Sequence, residues 1–225
     1  HIIASHIPEE LVEKWNVKVH EYQNWNAVWE SDYPLVKISD QLLIKAPFHE
    51  APEDFSGLVI DIQPKMSFGT GHHNTTALIS NYMYEMQLDG KRVLDMGAGT
   101  GILAILAEKL GAREILAVDN EVWAFENMQE NVELNKCQNI DCWHDDKVPT
   151  SSGDFDVIVA NINKNILFDF STDFSQILKP NGYILLSGFF DTDIEDVNSK
   201  YASQGLTEFT QLSRDGWAMC VLKKQ

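Results

Sequence analysis

The chain is predicted to fold as an α/β protein: a doubly wound, mostly parallel sheet of seven strands that ends in an antiparallel hairpin. Three observations predict this. After about residue 60, short apolar runs alternate with helix-length segments, the pattern of a parallel sheet covered by helices on both faces. One strand-to-helix junction carries glycines at 97, 99 and 101, where backbone can approach a ligand closely. The last two strand signals flank Arg214-Asp-Gly, a hairpin turn.

The elements follow in order. Ala77–Met86 is an apolar helix. Lys91–Met96 is a compact apolar strand, and Ile102–Leu110 a helix rich in Ile, Leu and Ala. Glu114–Val118 is the next strand and Val122–Asn135 the next helix. Ile140–Trp143 is a short strand, and Phe155–Ala160, with Val157-Ile-Val inside it, a buried one. Ile166–Leu178 is a helix that Pro180 stops. Tyr183–Ser187 is a strand and Asp193–Ser203 a helix. Thr207–Leu212 and Trp217–Leu222 make the final hairpin. Before residue 60 the signals are shorter. Pro8–Trp15 reads as a brief helix, Val17–His20 as a strand, and Gln23–Ser31 as an amphipathic helical segment with Trp25 and Trp29 on one face. Leu35–Ile38 and Gln41–Lys45 read as a small hairpin about Ser39-Asp40, and Pro47 and Pro52 mark a loop.

Composition narrows the classes. With 225 residues, 44% hydrophobic and 23% charged, the chain suits one soluble domain with a short extra piece. No apolar run reaches the ~18 residues of a membrane span, and His1-Ile-Ile-Ala-Ser-His is not a signal peptide, so no membrane association is expected. Cys137, Cys142 and Cys220 form no C-x-x-C pair; they read as reduced thiols of a cytoplasmic protein, and no metal site is expected. The 34 acidic against 17 basic residues leave a net charge of −17. That field repels nucleic acid and either attracts a basic macromolecule or serves solubility alone. Nothing in the sequence sets an oligomeric state.

The sharpest local feature is Val93-Leu-Asp-Met-Gly-Ala-Gly-Thr-Gly101. A dinucleotide fingerprint needs its third glycine at 102, where this chain has Ile102, so that fingerprint fails. The G-x-G-x-G spacing after Asp95 instead resembles methyltransferase motif I. That resemblance implies S-adenosylmethionine as cofactor, with Asp95 helping to orient its ammonium end, partly through water, and Gly97, Gly99 and Gly101 forming the binding loop. Asp119 ends the next strand, in Leu116-Ala-Val-Asp-Asn, where a carboxylate can accept from both ribose hydroxyls or cap a helix. One strand later comes His144-Asp-Asp146; the resemblance implies that Asp145 meets the adenine amine, against the alternative of solvated loop carboxylates.

Upstream lies Met66-Ser-Phe-Gly-Thr-Gly-His-His-Asn-Thr-Thr76, with hydroxyls at Thr75 and Thr76 able to cap the helix that follows. This run, the motif I loop, Val159-Ala-Asn-Ile162, Leu186-Ser-Gly188 and Gly216-Trp217, in that order, resemble the bacterial ribosomal protein L11 methyltransferase (PrmA) family. The resemblance runs from about residue 24 to the end of the chain. It implies a Rossmann-like class I methyltransferase fold, with Phe68, Gly69 and Thr70 bordering the cofactor and the amine entrance. Asn161 is implied to face the methyl donor, as both catalytic and cofactor-binding residue. The implied reaction is repeated methylation, up to trimethylation, of lysine side-chain and N-terminal amines of a basic ribosomal protein. Ala160-Asn-Ile-Asn163 lacks the prolines and stacking aromatic that methyltransferases for nucleobase amines or glutamine amides commonly carry there. The domain division expected is residues 1–24 as the remnant of a recognition domain, 25–60 as linker helix and hairpin, and 61–225 as the catalytic domain. Two alternatives remain open: a small-molecule methyltransferase on the same core, and a non-catalytic module that binds S-adenosylmethionine.

Overall fold

The computed structural model describes residues 33–225. The helix, strand and Trp25–Trp29 segment expected before residue 33 lie outside the described residues. Among the described residues no helix is long and apolar enough to cross a membrane.

The main sheet has seven strands, in the spatial order β6-β5-β4-β7-β8-β10-β9. These are β4 (Arg92–Met96), β5 (Glu114–Asp119), β6 (Ile140–His144), β7 (Phe155–Asn161), β8 (Leu178–Phe190), β9 (Leu206–Arg214) and β10 (Trp217–Lys224). Strands β4 to β8 pair in parallel, and β10 runs antiparallel between β8 and β9. The helices are α1 (Asn74–Glu85), α2 (Ile102–Lys109), α3 (Val122–Leu134), α4 (Lys164–Ile177) and α5 (Ile194–Ala202).

Strand periodicity assigns each residue to a face. Val93, Ile115, Ala117, Val157 and Val159 join one buried cluster with Ile79 of α1, Ile105 of α2 and Met128 of α3. Their neighbours Leu94, Leu116, Val118, Ile158 and Ala160 join a second cluster with Leu167 and Phe174 of α4 and Val197 of α5. Because both faces are covered, the central strands read as continuous apolar runs rather than alternating ones.

A second sheet is made of β1 (Val36–Ser39), β2 (Leu42–Lys45) and β3 (Leu58–Asp61). The hairpin is the expected one. The third strand was not expected, because Pro52 and Gly57 make its approach look like loop. It pairs parallel to β2, from Leu42↔Leu58 to Lys45↔Asp61. Leu42, Ile44, Ile60 and Ile62 pack into the same cluster as Ile79 and Ile102. The division expected between residues 60 and 61 therefore passes through one packed body.

An asparagine ladder on α3 ties this body together. Asn127 donates to the Gln63 carbonyl at 3.2 Å, Asn131 accepts from Gln63 N at 2.8 Å, and Asn135 accepts from Asp61 N at 3.1 Å. The i, i+4 spacing puts all three amides on one helix face, where they pair with backbone as a neighbouring strand would. Asn131 also donates to the Thr100 carbonyl at 2.9 Å, so the ladder reaches the glycine loop.

Candidate active site

In open α/β sheets ligands bind beyond the carboxyl ends of the strands, where strand order reverses. Here that point lies between β4 and β7. The loop after β4, the Asp119 end of β5, the Asp145–Asp146 corner after β6 and the Asn161 end of β7 all gather at this edge.

Two open depressions meet there and share Ile162. One, of about 240 Å³, is lined by Met96, Gly97, Asp119, Asp146, Ile162 and Ile166 among others. The second, of about 260 Å³, is lined by Phe68, His73, Thr75, Asn161, Ile162 and Trp217 among others. Gly97 and Asp119 stand on the first. Asn161 and Phe68 stand on the second. Asp145 does not line the first depression; Asp146 does. The Asp145 carboxylate accepts from Lys147 N at 3.1 Å in a local turn. Thr70 turns its hydroxyl to His72 Nδ1 at 3.1 Å and lines neither depression.

The glycine loop is clamped between two other segments. Gly99 has φ +56°, and a Cβ placed there would stand 2.3 Å from the carbonyl oxygen of Phe68. The sequence reading gave Gly99 to close ligand approach; what presses on it is backbone of the upstream loop. Thr100 N donates to Phe68 O at 2.9 Å and its hydroxyl donates to Gly69 O at 2.6 Å. From the next strand, Asp119 accepts from Gly99 N at 2.8 Å and from Glu121 N at 3.0 Å. Its carboxylate keeps further acceptor capacity on the cleft wall.

Asp95 lies beneath the loop and is 1% exposed. One carboxylate oxygen accepts from Ala104 N at 3.0 Å, and the other is buried with no hydrogen-bond partner among the described residues. Burial pushes this carboxyl up to about 7; the Ala104 N–H opposes the rise and the Asp119 charge adds to it. The folded protein therefore holds an extra proton between the ordinary value of 3.8 and about 7. That contribution to stability is full below the ordinary value and is lost as pH rises through about 7. Asp95→Asn keeps an acceptor for Ala104 N and cannot ionise. Thermal melts from about pH 4 to 8 are expected to show the wild type losing stability relative to this variant as pH rises. Parallel melting curves for the two would place the Asp95 proton outside this window.

On the other side of Ile162, residues of the second depression are held by α1 and β8. His73 is the N-cap of α1, its Nδ1 accepting from Thr75 N at 3.3 Å, where the sequence had pointed to the threonines. With Nδ1 accepting, the neutral ring carries its proton on Nε2. Burial also holds this imidazole below the usual histidine value. Asn161 donates weakly to Thr76 Oγ1 at 3.4 Å, and its side-chain oxygen is buried without a partner among the described residues. Gly188 (φ +96°) lets β8 pass the Ile162 carbonyl, which a Cβ would approach to 2.2 Å.

A G-x-G-x-G loop at the switch point, a carboxylate at the end of the next strand and a β10 inserted antiparallel between β8 and β9 define an S-adenosylmethionine-dependent methyltransferase of class I. A family model described as ribosomal protein L11 methyltransferase (PrmA) matches residues 2–225, and the chain belongs to that family. A ribosomal protein L11 methyltransferase of Porphyromonas gingivalis is 41% identical, covering 96% of this chain and 78% of the relative. One of Phocaeicola vulgatus is 38% identical, covering 94% and 75%. A crystal structure of the ribosomal protein L11 methylase of Lactobacillus delbrueckii subsp. bulgaricus superposes with a TM-score of 0.79 at 27% identity, covering 86% of this chain and all of that one.

Proposed function

We propose that this chain methylates amines, lysine side chains and an N-terminus, of ribosomal protein L11, a basic substrate. The observation that carries this reading is the second depression. Its lining is neutral and aromatic and includes Asn161, whose buried amide oxygen has no hydrogen-bond partner among the described residues. A net charge of −17 favours a basic protein and disfavours direct contact with nucleic acid.

The residues present fit S-adenosylmethionine. Asp119 offers acceptors for ribose hydroxyls, Asp146 stands on the same cleft for the adenine amine, and the unpaired oxygen of Asp95 suits a water-bridged ammonium. When bound, S-adenosylmethionine supplies the methyl carbon, and the electron pair of the broken C–S bond leaves with sulfur as a neutral thioether. The chain supplies placement. An amine near pKa ~10.4 is mostly protonated in water, and only its free base can attack. An apolar, partly desolvated pocket lowers that pKa. The Asn161 oxygen accepts one remaining N–H and aims the lone pair. Among the described residues His73 is the one titratable side chain lining the pocket, and its Nδ1 is already engaged, so it does not act as a base. The amine proton leaves to solvent through the open mouth.

Thr100 ties the two depressions together through Phe68 and Gly69. Thr100→Val removes the hydroxyl donor at nearly constant volume. We expect KM for the protein acceptor to rise about fivefold, the cost of one lost hydrogen bond, with cofactor affinity nearly unchanged. Thr100→Ser is expected to restore KM. Equal loss of cofactor affinity would show that the contact serves the cofactor loop alone.

The reading is tested by mass spectrometry of purified L11 after incubation with this chain and S-adenosylmethionine, with a metabolite pool in parallel. Methyl increments on lysines or the N-terminus are expected. Transfer to a metabolite and none to L11 would overturn the substrate.

A further inference from the structure

We propose that the acceptor pocket retains an amine that has already been methylated, holding the methylated ammonium against a wall of aromatic rings while the cofactor is exchanged. This rests on the amine-transfer reading above and goes beyond it, because it assigns a device for successive methylation to particular rings.

Four rings make a continuous chain along this face. Phe68 meets His73 edge-on with centroids 5.2 Å apart, His73 meets Trp217 edge-on at 4.5 Å, and Trp217 stacks at a tilt on Phe190 at 4.5 Å. Three of the four line the pocket. Phe68 and Phe190 are each 53% exposed, so large apolar rings are presented to solvent where a core would have hidden them. Thr100 N holds the backbone of Phe68, and the capping bond to α1 holds the His73 ring. No carboxylate lines the pocket among the described residues, and burial disfavours the charged form of His73.

A primary ammonium gains little in such a pocket, because it gives up strong hydration and finds one amide oxygen. In each round the nitrogen gains a carbon and loses a proton. Its N–H donors fall in number and its hydration weakens, so it gives up less on leaving water for the ring faces. Affinity therefore rises with methylation while the hydrogen bond to Asn161 becomes dispensable. The cofactor cleft has its own lining and shares only Ile162 with this pocket. The cofactor can leave and be replaced with the amine still seated.

The test is an equilibrium titration of the whole chain saturated with S-adenosylhomocysteine. The probes are short peptides carrying lysine, trimethyllysine, or a neutral isostere with carbon in place of the charged nitrogen. The trimethylated peptide is expected to bind about tenfold tighter than either of the others, within the range of a desolvated cation–π contact. Trp217→Leu and Phe68→Leu keep apolar volume and remove the ring, and each is expected to erase most of that preference. Phe68 is half exposed, so its replacement leaves the core intact. In a pulse–chase with excess unlabelled acceptor, the wild type should carry most engaged amines beyond the first methyl before release, and Trp217→Leu should accumulate monomethylated product. Equal binding of the neutral isostere, or release after every methyl in the wild type, would overturn the proposal. If the wild type methylates no protein amine at all, the amine-transfer reading fails instead, and the binding preference can still be measured.

Discussion

Gly99→Val is expected to abolish cofactor binding, with affinity for S-adenosylmethionine falling at least about 100-fold, or ~2.7 kcal/mol. Two costs combine. The backbone at φ +56° is one that branched residues avoid, at about 1–3 kcal/mol. The added Cβ would also meet the Phe68 carbonyl at 2.3 Å, and a backbone atom cannot swing aside as a side-chain end can. Relief requires the glycine loop and the Phe68–Gly71 loop to separate. That separation breaks the Thr100 bonds and pulls Gly99 N from Asp119. Gly99→Ala should move the same way by less. Calorimetric titration of folded protein, verified by its melt, reads the effect. Wild-type affinity in folded Gly99→Val would remove the loop from the cofactor site.

Asn161→Ala is expected to lower kcat about 100-fold, ~2.7 kcal/mol in the transition state, with cofactor affinity changed by no more than about threefold. Asn161 lines the acceptor depression and does not line the cofactor cleft, so its loss falls on orientation of the amine. A thermal melt guards against a simpler cause, although Asn161 makes only one long side-chain bond, to Thr76, and little stability should be lost. A variant that turns over at the wild-type rate would make Asn161 a strand-end residue with no part in transfer.

The seven-strand core was legible because buried parallel strands are short apolar runs between helices, and Val157-Ile-Val is one such run. Strand β3 escaped because Pro52 and Gly57 mark its approach as loop, and its partner β2 is supplied by pairing across that loop. The cap of α1 escaped because hydroxyls are the usual caps and His73 is not. In the sequence, resemblance alone favours Asp145 over Asp146, because the residue that faces a cleft alternates along a strand and β6 ends at His144, just before the alternation would decide. The ladder of Asn127, Asn131 and Asn135 carried a readable signal, three amides at helical spacing, but its partner at Gln63 and Thr100 could come only from the folded chain. For the same reason Gly99 read as space for a ligand, when the first thing it accommodates is the Phe68 carbonyl.

The account turns on two depressions that share Ile162, one for the cofactor and one for the amine. A crystal structure of the chain with S-adenosylhomocysteine and a trimethyllysine peptide tests this most directly. The ribose is expected on the Asp119 carboxylate and the adenine beside Asp146, with the methylated nitrogen near the Asn161 oxygen and the Trp217 ring, and with the sulfur approaching it past Ile162. A cofactor seated away from Gly97 and Asp119, or an ammonium bound outside the Phe68–His73–Trp217 wall, would contradict the account.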